Sequence, residues 1–191
     1  MITAILLAAG QSKRLKNENK LIKLFKKKLL INHILSSLIK SKVNKIIIVL
    51  GFEHLKVKKK LLKSKKIKFV INKNYKKGIS SSIKTGLRGL SKHNKGFLIV
   101  QGDMPNITKT TINKIILLIN KSRKEIFLPR FKNRIGNPIG FKKSMIKNIN
   151  KIKGDRGAKN IIKKNRKKIK FVNINSKSIL TNFNTKKDFS S

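Results

Sequence analysis

A chain of 191 residues is long enough to bury one core of ordinary size, and a single domain over residues 1–191 is the expectation. Fifty Lys and Arg stand against six Asp and Glu, for a formal charge of +44, and Cys and Trp are absent. This excludes a disulfide framework and a thiolate metal site, and no apolar run approaches the ~20 residues of a membrane span.

The charge has two readings. One is phosphate neutralisation by a nucleic-acid-binding protein. The other is compositional bias, because Lys, Ile and Asn are all abundant and all drawn from A/T-rich codons. The lysines are spread along the whole length instead of being gathered in one arm, which favours bias and no specific nucleic-acid partner. Such a field still attracts polyphosphates. The apolar N-terminus lacks the positive start of a signal peptide, so a cytoplasmic protein without a membrane partner is expected.

Residues 2–7 predict a buried strand. It runs into Ala8, Ala9 and Gly10, whose missing side chains let backbone N–H groups reach a phosphate, with Arg14 and Lys20 placed to add charge from the side. An ordinary surface loop fits these residues equally well, since neither GxGxxG nor the Gly-Lys-Ser/Thr ending of a P-loop is present. Residues 29–39 have helical spacing, and residues 46–50 form an almost wholly apolar strand ended by Gly51. A basic helix carrying Leu55, Leu61 and Leu62 follows, then a strand at 67–71. The next loop ends in Gly78 and the hydroxyl run Ser80, Ser81, Ser82. Ser80 or Ser81 is expected to cap a helix reaching Leu90, whose start suits an anion or polar ligand.

A fourth strand at 97–100 ends in Gln101, Gly102 and Asp103, and a helix with Ile112, Ile115, Ile116 and Ile119 comes next. Residues 126–129 read as a short strand and 134–141 as a bent extended segment containing Asn137. Met145, Ile146 and Ile149 mark a helix, and residues 154–158 a turn opening another through Ile162. Residues 171–174 and 179–183 read as two final strands. The alternation predicts an α/β fold with a mostly parallel sheet flanked by helices, and ligands outside the carboxyl ends of its strands.

Acids are the scarce residues. Asp103, at a strand end and followed by Pro105, suits Mg²⁺ held by one or two carboxylates and substrate phosphates; capping the helix that begins near Thr108 is the competing role. For Asp155, between two glycines before a helix, a cap and a site residue are equally compatible. Glu18, Glu53 and Glu125 read as solvated or helix-edge residues. His33, His54 and His93 are scattered, and no Ser-His-Asp arrangement is visible. What remains is phosphoryl-type chemistry carried by positioning, cations and a metal.

Six stretches together resemble the MobA-like nucleotidyltransferases. They are Leu7-Ala8-Ala9-Gly10-Gln11-Ser12-Lys13-Arg14 with Lys20-Leu21; Gly78-Ile79-Ser80-Ser81-Ser82-Ile83-Lys84-Thr85-Gly86; Gly102-Asp103-Met104-Pro105; Gly136-Asn137-Pro138-Ile139; Gly154-Asp155-Arg156-Gly157-Ala158-Lys159; and Asn182-Phe183-Asn184-Thr185. They occur in family order over nearly the whole chain, and the fourth and fifth point to the molybdenum cofactor cytidylyltransferase branch. The chain departs from the pattern at Lys16, at Lys26 to Lys28 where a Gly-x-Pro turn is usual, and at Lys186-Lys187 after Thr185.

The resemblance implies a Rossmann-like nucleotide-diphospho-sugar transferase fold. It implies transfer of a nucleotidyl group, CMP from CTP, to the phosphate of molybdopterin, with a molybdoenzyme as a further partner. A guanylyltransferase, a transferase for sugar or alcohol phosphates and a non-catalytic assembly factor are the alternatives. By resemblance, Ala8, Ala9 and Gly10 line the base and phosphate pocket, and Arg14 and Lys20 hold the triphosphate. Gly78, Ser80, Ser81 and Ser82 border the base and ribose. Asp103 with Asn182 or Asn184 holds Mg²⁺, and Asn137 and Asp155 face the acceptor.

Overall fold

The computed structural model describes every residue except Lys13, Arg14, Lys16, Asn17, Ser190 and Ser191, and the side chains of Arg156 and Lys186 are set aside with them. Its central strand is β1 (Ile2–Ala8). Ala4, Leu6 and Ala8 enter one core while Ile5 and, just past the strand, Ala9 enter the other. β4 (Lys45–Leu50) divides in the same way, with Ile46, Ile48 and Leu50 on one side and Ile47 and Val49 on the other. An apolar run thus serves two faces at once, as a parallel strand covered by helices on both sides requires.

The remaining strands are β5 (Ile67–Ile71), β6 (Gly96–Gln101), β7 (Ile126–Phe131), β8 (Arg134–Ile135), β9 (Ile139–Lys142) and β10 (Ile169–Asn173). The sheet order is β10-β7-β9-β6-β1-β4-β5. The β1–β4, β1–β6, β4–β5 and β7–β10 pairs are parallel. β9 runs against both β6 and β7, and β8 folds back on β7. The bent segment expected at 134–141 is therefore β8 and β9 with a turn between them. Helices α1 (Leu30–Ile39) and α4 (Lys109–Lys121) contribute to one core together with Val57 of α2 (His54–Lys59). Helices α3 (Ile79–Arg88) and α5 (Ile146–Ile149) contribute to the other. The mostly parallel, helix-flanked α/β sheet expected from the sequence is the observed architecture.

Two local expectations differ. Residues 179–183 are not a strand. Ile179 is fully buried in a 3₁₀ turn, Lys177–Leu180, and its carbonyl accepts a hydrogen bond from Asn137 N at 2.9 Å. A Cβ on Gly136 would lie 2.1 Å from that carbonyl, so this glycine is needed for close backbone approach. Phe183 packs with Phe25 and Leu30 in a small cluster of its own. Apolar residues there plug gaps beside the sheet and leave their backbone to loops. In the second case, α2 stops at Lys59, so Leu61 and Leu62 pack from outside the helix.

Near the site, β2 (Leu24–Phe25) and β3 (Lys28–Leu29) form a hairpin. Its two turn residues, Lys26 and Lys27, have φ of 47° and 61°.

Candidate active site

The chain moves outward from β1 to β4 and β5, then returns through α3 to β6 on the opposite side of β1. The sheet order therefore reverses between β1 and β6, and a crevice opens at their carboxyl ends. It holds a cavity of about 390 Å³. β1 brings Leu7, Ala9 and Gly10 to its wall, β6 brings Gln101, Gly102 and Asp103, and the start of α3 brings Gly78, Ile79 and Ser82. A Cβ added to Gly10 would meet nothing within 4 Å, unlike one on Gly102, which would stand 2.9 Å from Leu7 O. Packing within the protein accounts for Gly102; a Cβ on Gly10, which lines the cavity, would enter open space.

On the cavity lining, Lys20 reaches three oxygens. Its Nζ donates to Asp103 Oδ2 at 2.5 Å, Asn184 Oδ1 at 2.8 Å and the Phe183 carbonyl at 3.0 Å. The Lys20 and Asp103 side chains are each 15% exposed. Local bonds fix every partner. Lys20 opens a 3₁₀ turn whose preceding residue, Asn19, accepts from Leu21 N, and Lys20 N donates to Ser12 Oγ. Phe183 N donates to the Asp103 carbonyl at 2.9 Å, which stitches the last segment to the end of β6. Asp188 then pins the turn that carries Asn184. Its Oδ2 accepts from Asn184 N and Thr185 N, both at 2.7 Å, and these N–H groups hold its carboxyl below the usual range.

The three oxygens around Lys20 are hard donors drawn together by one cation, a set that fits a divalent metal. Among the described residues no three His, Cys, Asp or Glu form a metal cluster. The set therefore suits a cation that brings most of its ligands from substrate phosphates. Asn182, the other expected ligand, is exposed, and the hydrogen bonds of Lys20 go to Asn184 instead. Arg14 lies outside the described residues.

The start of α3 differs from expectation. Its cap position is Gly78, at φ 90°, and neither Ser80 nor Ser81 caps it. The cap comes from across the fold: Asp155 Oδ1 accepts from Ile79 N at 2.9 Å. A Cβ on Gly78 would lie 2.5 Å from that oxygen, so the glycine makes room for it. Ser81 Oγ has its one proton between Gly78 O and Asn74 O, 2.8 and 2.9 Å away, while Asn72 Nδ2 donates to both Ser81 Oγ and Ser82 Oγ. Of the three serines only Ser82 lines the cavity; Ser80 is buried, as is Ala8 beside Ala9. Asp103 does not cap α4, because Thr108 does so itself through Thr111 N.

Tyr75, Gln11, Lys76 and Gln101 also line the cavity and carried no assignment from sequence. Tyr75 is the only tyrosine in a chain poor in aromatics, which is the signal that could have singled it out. Next to this cavity a second cleft of about 810 Å³ lies between α3 and α6 (Lys159–Lys164), with Asn137 on its wall. Ile79, Gln101 and Asp155 line both spaces.

The sequence matches the family model described as the MobA-like NTP transferase domain over residues 4–169. The chain belongs to the MobA-like NTP transferase family. This MobA-like chain is therefore a nucleotidyltransferase by family. Solved structures share its fold at low identity. Rv0371c from Mycobacterium tuberculosis superposes with a TM-score of 0.87 at 21% identity, covering 99% of this chain and 95% of that one. A second structure of that protein, described as a complex with manganese, has a TM-score of 0.81 at 19% identity and covers 99% and 96%. A nucleotidyl transferase from Methanothermobacter has a TM-score of 0.84 at 18% identity, covering 100% and 94%. No helix among the described residues of this MobA-like chain is long and apolar enough to cross a membrane.

Proposed function

We propose that this transferase moves a nucleotidyl group from an NTP to the phosphate of a molybdopterin-type acceptor and releases pyrophosphate, with CTP the favoured donor. The observation that carries the reading is the convergence of Asp103 and Asn184 on Lys20, which with Asp103 and Gly10 lines a cavity on the β1/β6 switch point. The family resemblance of the Gly136-Asn137-Pro138 and Gly154-Asp155 stretches supports the acceptor and the choice of CTP.

In this reading Ala9 and Gly10 let the nucleotide lie close to the backbone, with Tyr75 and Ser82 lining the same cavity. Lys20 and Arg14 offset the charge that builds on the leaving pyrophosphate. Asp103 and Asn184 hold a divalent cation, Mg²⁺ by resemblance, which when bound supplies a Lewis acid and a template for the phosphates. An oxygen of the acceptor's phosphate attacks the α-phosphorus, and the bond to the bridging oxygen of the β-phosphate breaks. The nucleophile is already ionised, so no side chain has to remove a proton. The positive field draws both polyanions to the crevice.

The test is pyrophosphate release from purified protein with Mg²⁺, molybdopterin and each NTP in turn, with Asp103→Ala alongside. Release with CTP alone, abolished by the substitution, is expected. Release with GTP alone overturns the choice of nucleotide. Absence of release with any nucleotide, from folded protein that binds DNA in a salt-sensitive way, overturns the enzyme in favour of a basic nucleic-acid-binding protein.

A further inference from the structure

Asn72 lies just past the carboxyl end of β5 and is buried, with 3% of its surface exposed. No step of the proposed chemistry uses it. Its backbone N–H donates to Leu50 O at 2.8 Å, which continues the β4–β5 ladder by one bond. Its side-chain amide is engaged at both ends. Oδ1 accepts from Asn74 N at 3.0 Å, while Nδ2 donates to Ser81 Oγ at 2.8 Å and to Ser82 Oγ at 3.0 Å. A backbone N–H can only donate, so Asn74 N must meet the oxygen of the amide. The NH₂ end is then committed to the two serines, one proton to each.

The two hydroxyls are left in different states. Ser81 spends its proton inside the protein, between Gly78 O and Asn74 O. Ser82 receives a proton from Asn72, and no oxygen among the described residues accepts its own. Ser82 is only 6% exposed, yet it lines the cavity. An O–H so deeply placed is costly without an acceptor, and the cavity is where one can enter. A free hydroxyl rotates to donate or to accept; the amide takes one lone pair and biases this one toward donation. The loop that carries Asn72 and Asn74 also carries Tyr75, the one aromatic ring among the residues described on the cavity lining. Lys20 and Asp103, read as meeting the phosphates and the metal, stand on other elements.

Taking the proposed nucleotide site as given, we infer that Asn72 is a positioning residue for the nucleoside. It holds Ser82 as a hydrogen-bond donor to an acceptor atom of the base or ribose, and it has no part in holding the phosphates. Asn72→Asp tests this by reversing the polarity of one contact. The carboxylate keeps the shape and still accepts from Asn74 N, but it offers oxygen to Ser82, whose proton then turns away from the cavity.

The experiment is calorimetric titration of the full chain with two Mg²⁺-loaded probes, a non-hydrolysable CTP analogue and inorganic tripolyphosphate, which has no nucleoside. The parent chain should bind both. Asn72→Asp should weaken the analogue about tenfold, and Ser82→Ala about three- to tenfold, with tripolyphosphate within about twofold of the parent in each. The double variant should bind the analogue within about twofold of Asn72→Asp, because the second change removes a donor already turned away. Unchanged analogue affinity in folded Asn72→Asp protein overturns the inference. So does an equal loss of both probes, the mark of a displaced α3 and a purely structural role, and so do losses that add in the double variant. Where Asn72→Asp fails to fold, Ser82→Ala decides: selective loss of the analogue supports the donor, and unchanged affinity overturns it. Failure of the parent chain to bind the analogue overturns the nucleotide reading on which the inference rests.

Discussion

Lys20 Nζ stands 2.5 Å from Asp103 Oδ2, so the side chain expected to hold the triphosphate is the cation of the expected metal site. Both groups are largely shielded from water, and Asn184 and the Phe183 carbonyl complete the ammonium's oxygen partners. A divalent cation and this ammonium compete for the same oxygens. In the proposed function, a nucleotide would resolve the competition by offering phosphate oxygens to both.

The first prediction follows from that competition. Lys20→Met protein without nucleotide should bind Mn²⁺ more tightly than the parent chain, read from the loss of free-ion electron paramagnetic resonance signal. Asp103→Asn should bind it more weakly than the parent. Pyrophosphate release should fall about 10²–10³-fold in both, as when one preorganised charge contact to the transition state is lost. Equal Mn²⁺ affinity in Lys20→Met and parent protein would show that the ammonium is no barrier to the metal.

The contact also marks how far the sequence could be read. Strand ends, small residues and the scarce carboxylate Asp103 were enough to place the crevice, because burial periodicity and chain order determine where parallel strands end. Which hydroxyls and amides face it was not legible. Ser81 and Asn72 satisfy each other and nearby backbone, Ser80 is buried, and Asn184 but not Asn182 meets Lys20. Such choices depend on contacts between residues far apart in the chain. Asp155 shows the limit best: it caps a helix, but one whose first residue lies 76 positions away. Ile179 misled because a buried apolar residue in a 3₁₀ turn has the same composition as one in a strand.

A second prediction concerns Gly10. Its added Cβ meets open space, so Gly10→Val should fold with a thermal midpoint close to that of the parent. The branched side chain would stand in the cavity and weaken binding of Mg²⁺–CTP by about tenfold or more, measured by calorimetry. A midpoint loss comparable to that of a core substitution would mean that the glycine serves the fold and not the ligand.

A third prediction concerns the β2–β3 hairpin beside the site. Lys26 and Lys27 both adopt positive φ, the geometry of a two-residue type I′ turn that Asn-Gly prefers. Two adjacent lysines there carry backbone strain and like charge. Replacing them by Lys26→Asn with Lys27→Gly should stabilise the chain by about 1 kcal/mol, a rise of roughly 2–4 °C in thermal midpoint. A fall in the midpoint would argue against this turn geometry.

Glu125 gives the last prediction, and it corrects the expectation of a solvated acid. Its Oε2 pairs with Lys168 Nζ at 2.6 Å, and its Oε1 accepts from Ser144 Oγ. The carboxylate thus ties the start of β7 to the residue before β10 and to the turn after β9. The Lys168 hydrogen bond first, then that of Ser144, holds its pKa below the usual glutamate value. A carboxyl depressed in the folded state contributes stability above its unfolded pKa, about 4.3, and that contribution is lost as pH falls through the lower folded value. Glu125→Gln should therefore cost on the order of 1 kcal/mol at pH 7, discounted for partial exposure of the pair. The gap between the denaturation curves of the two proteins should shrink steadily below about pH 4. A gap independent of pH would assign the cost to packing and not to the ionised carboxylate.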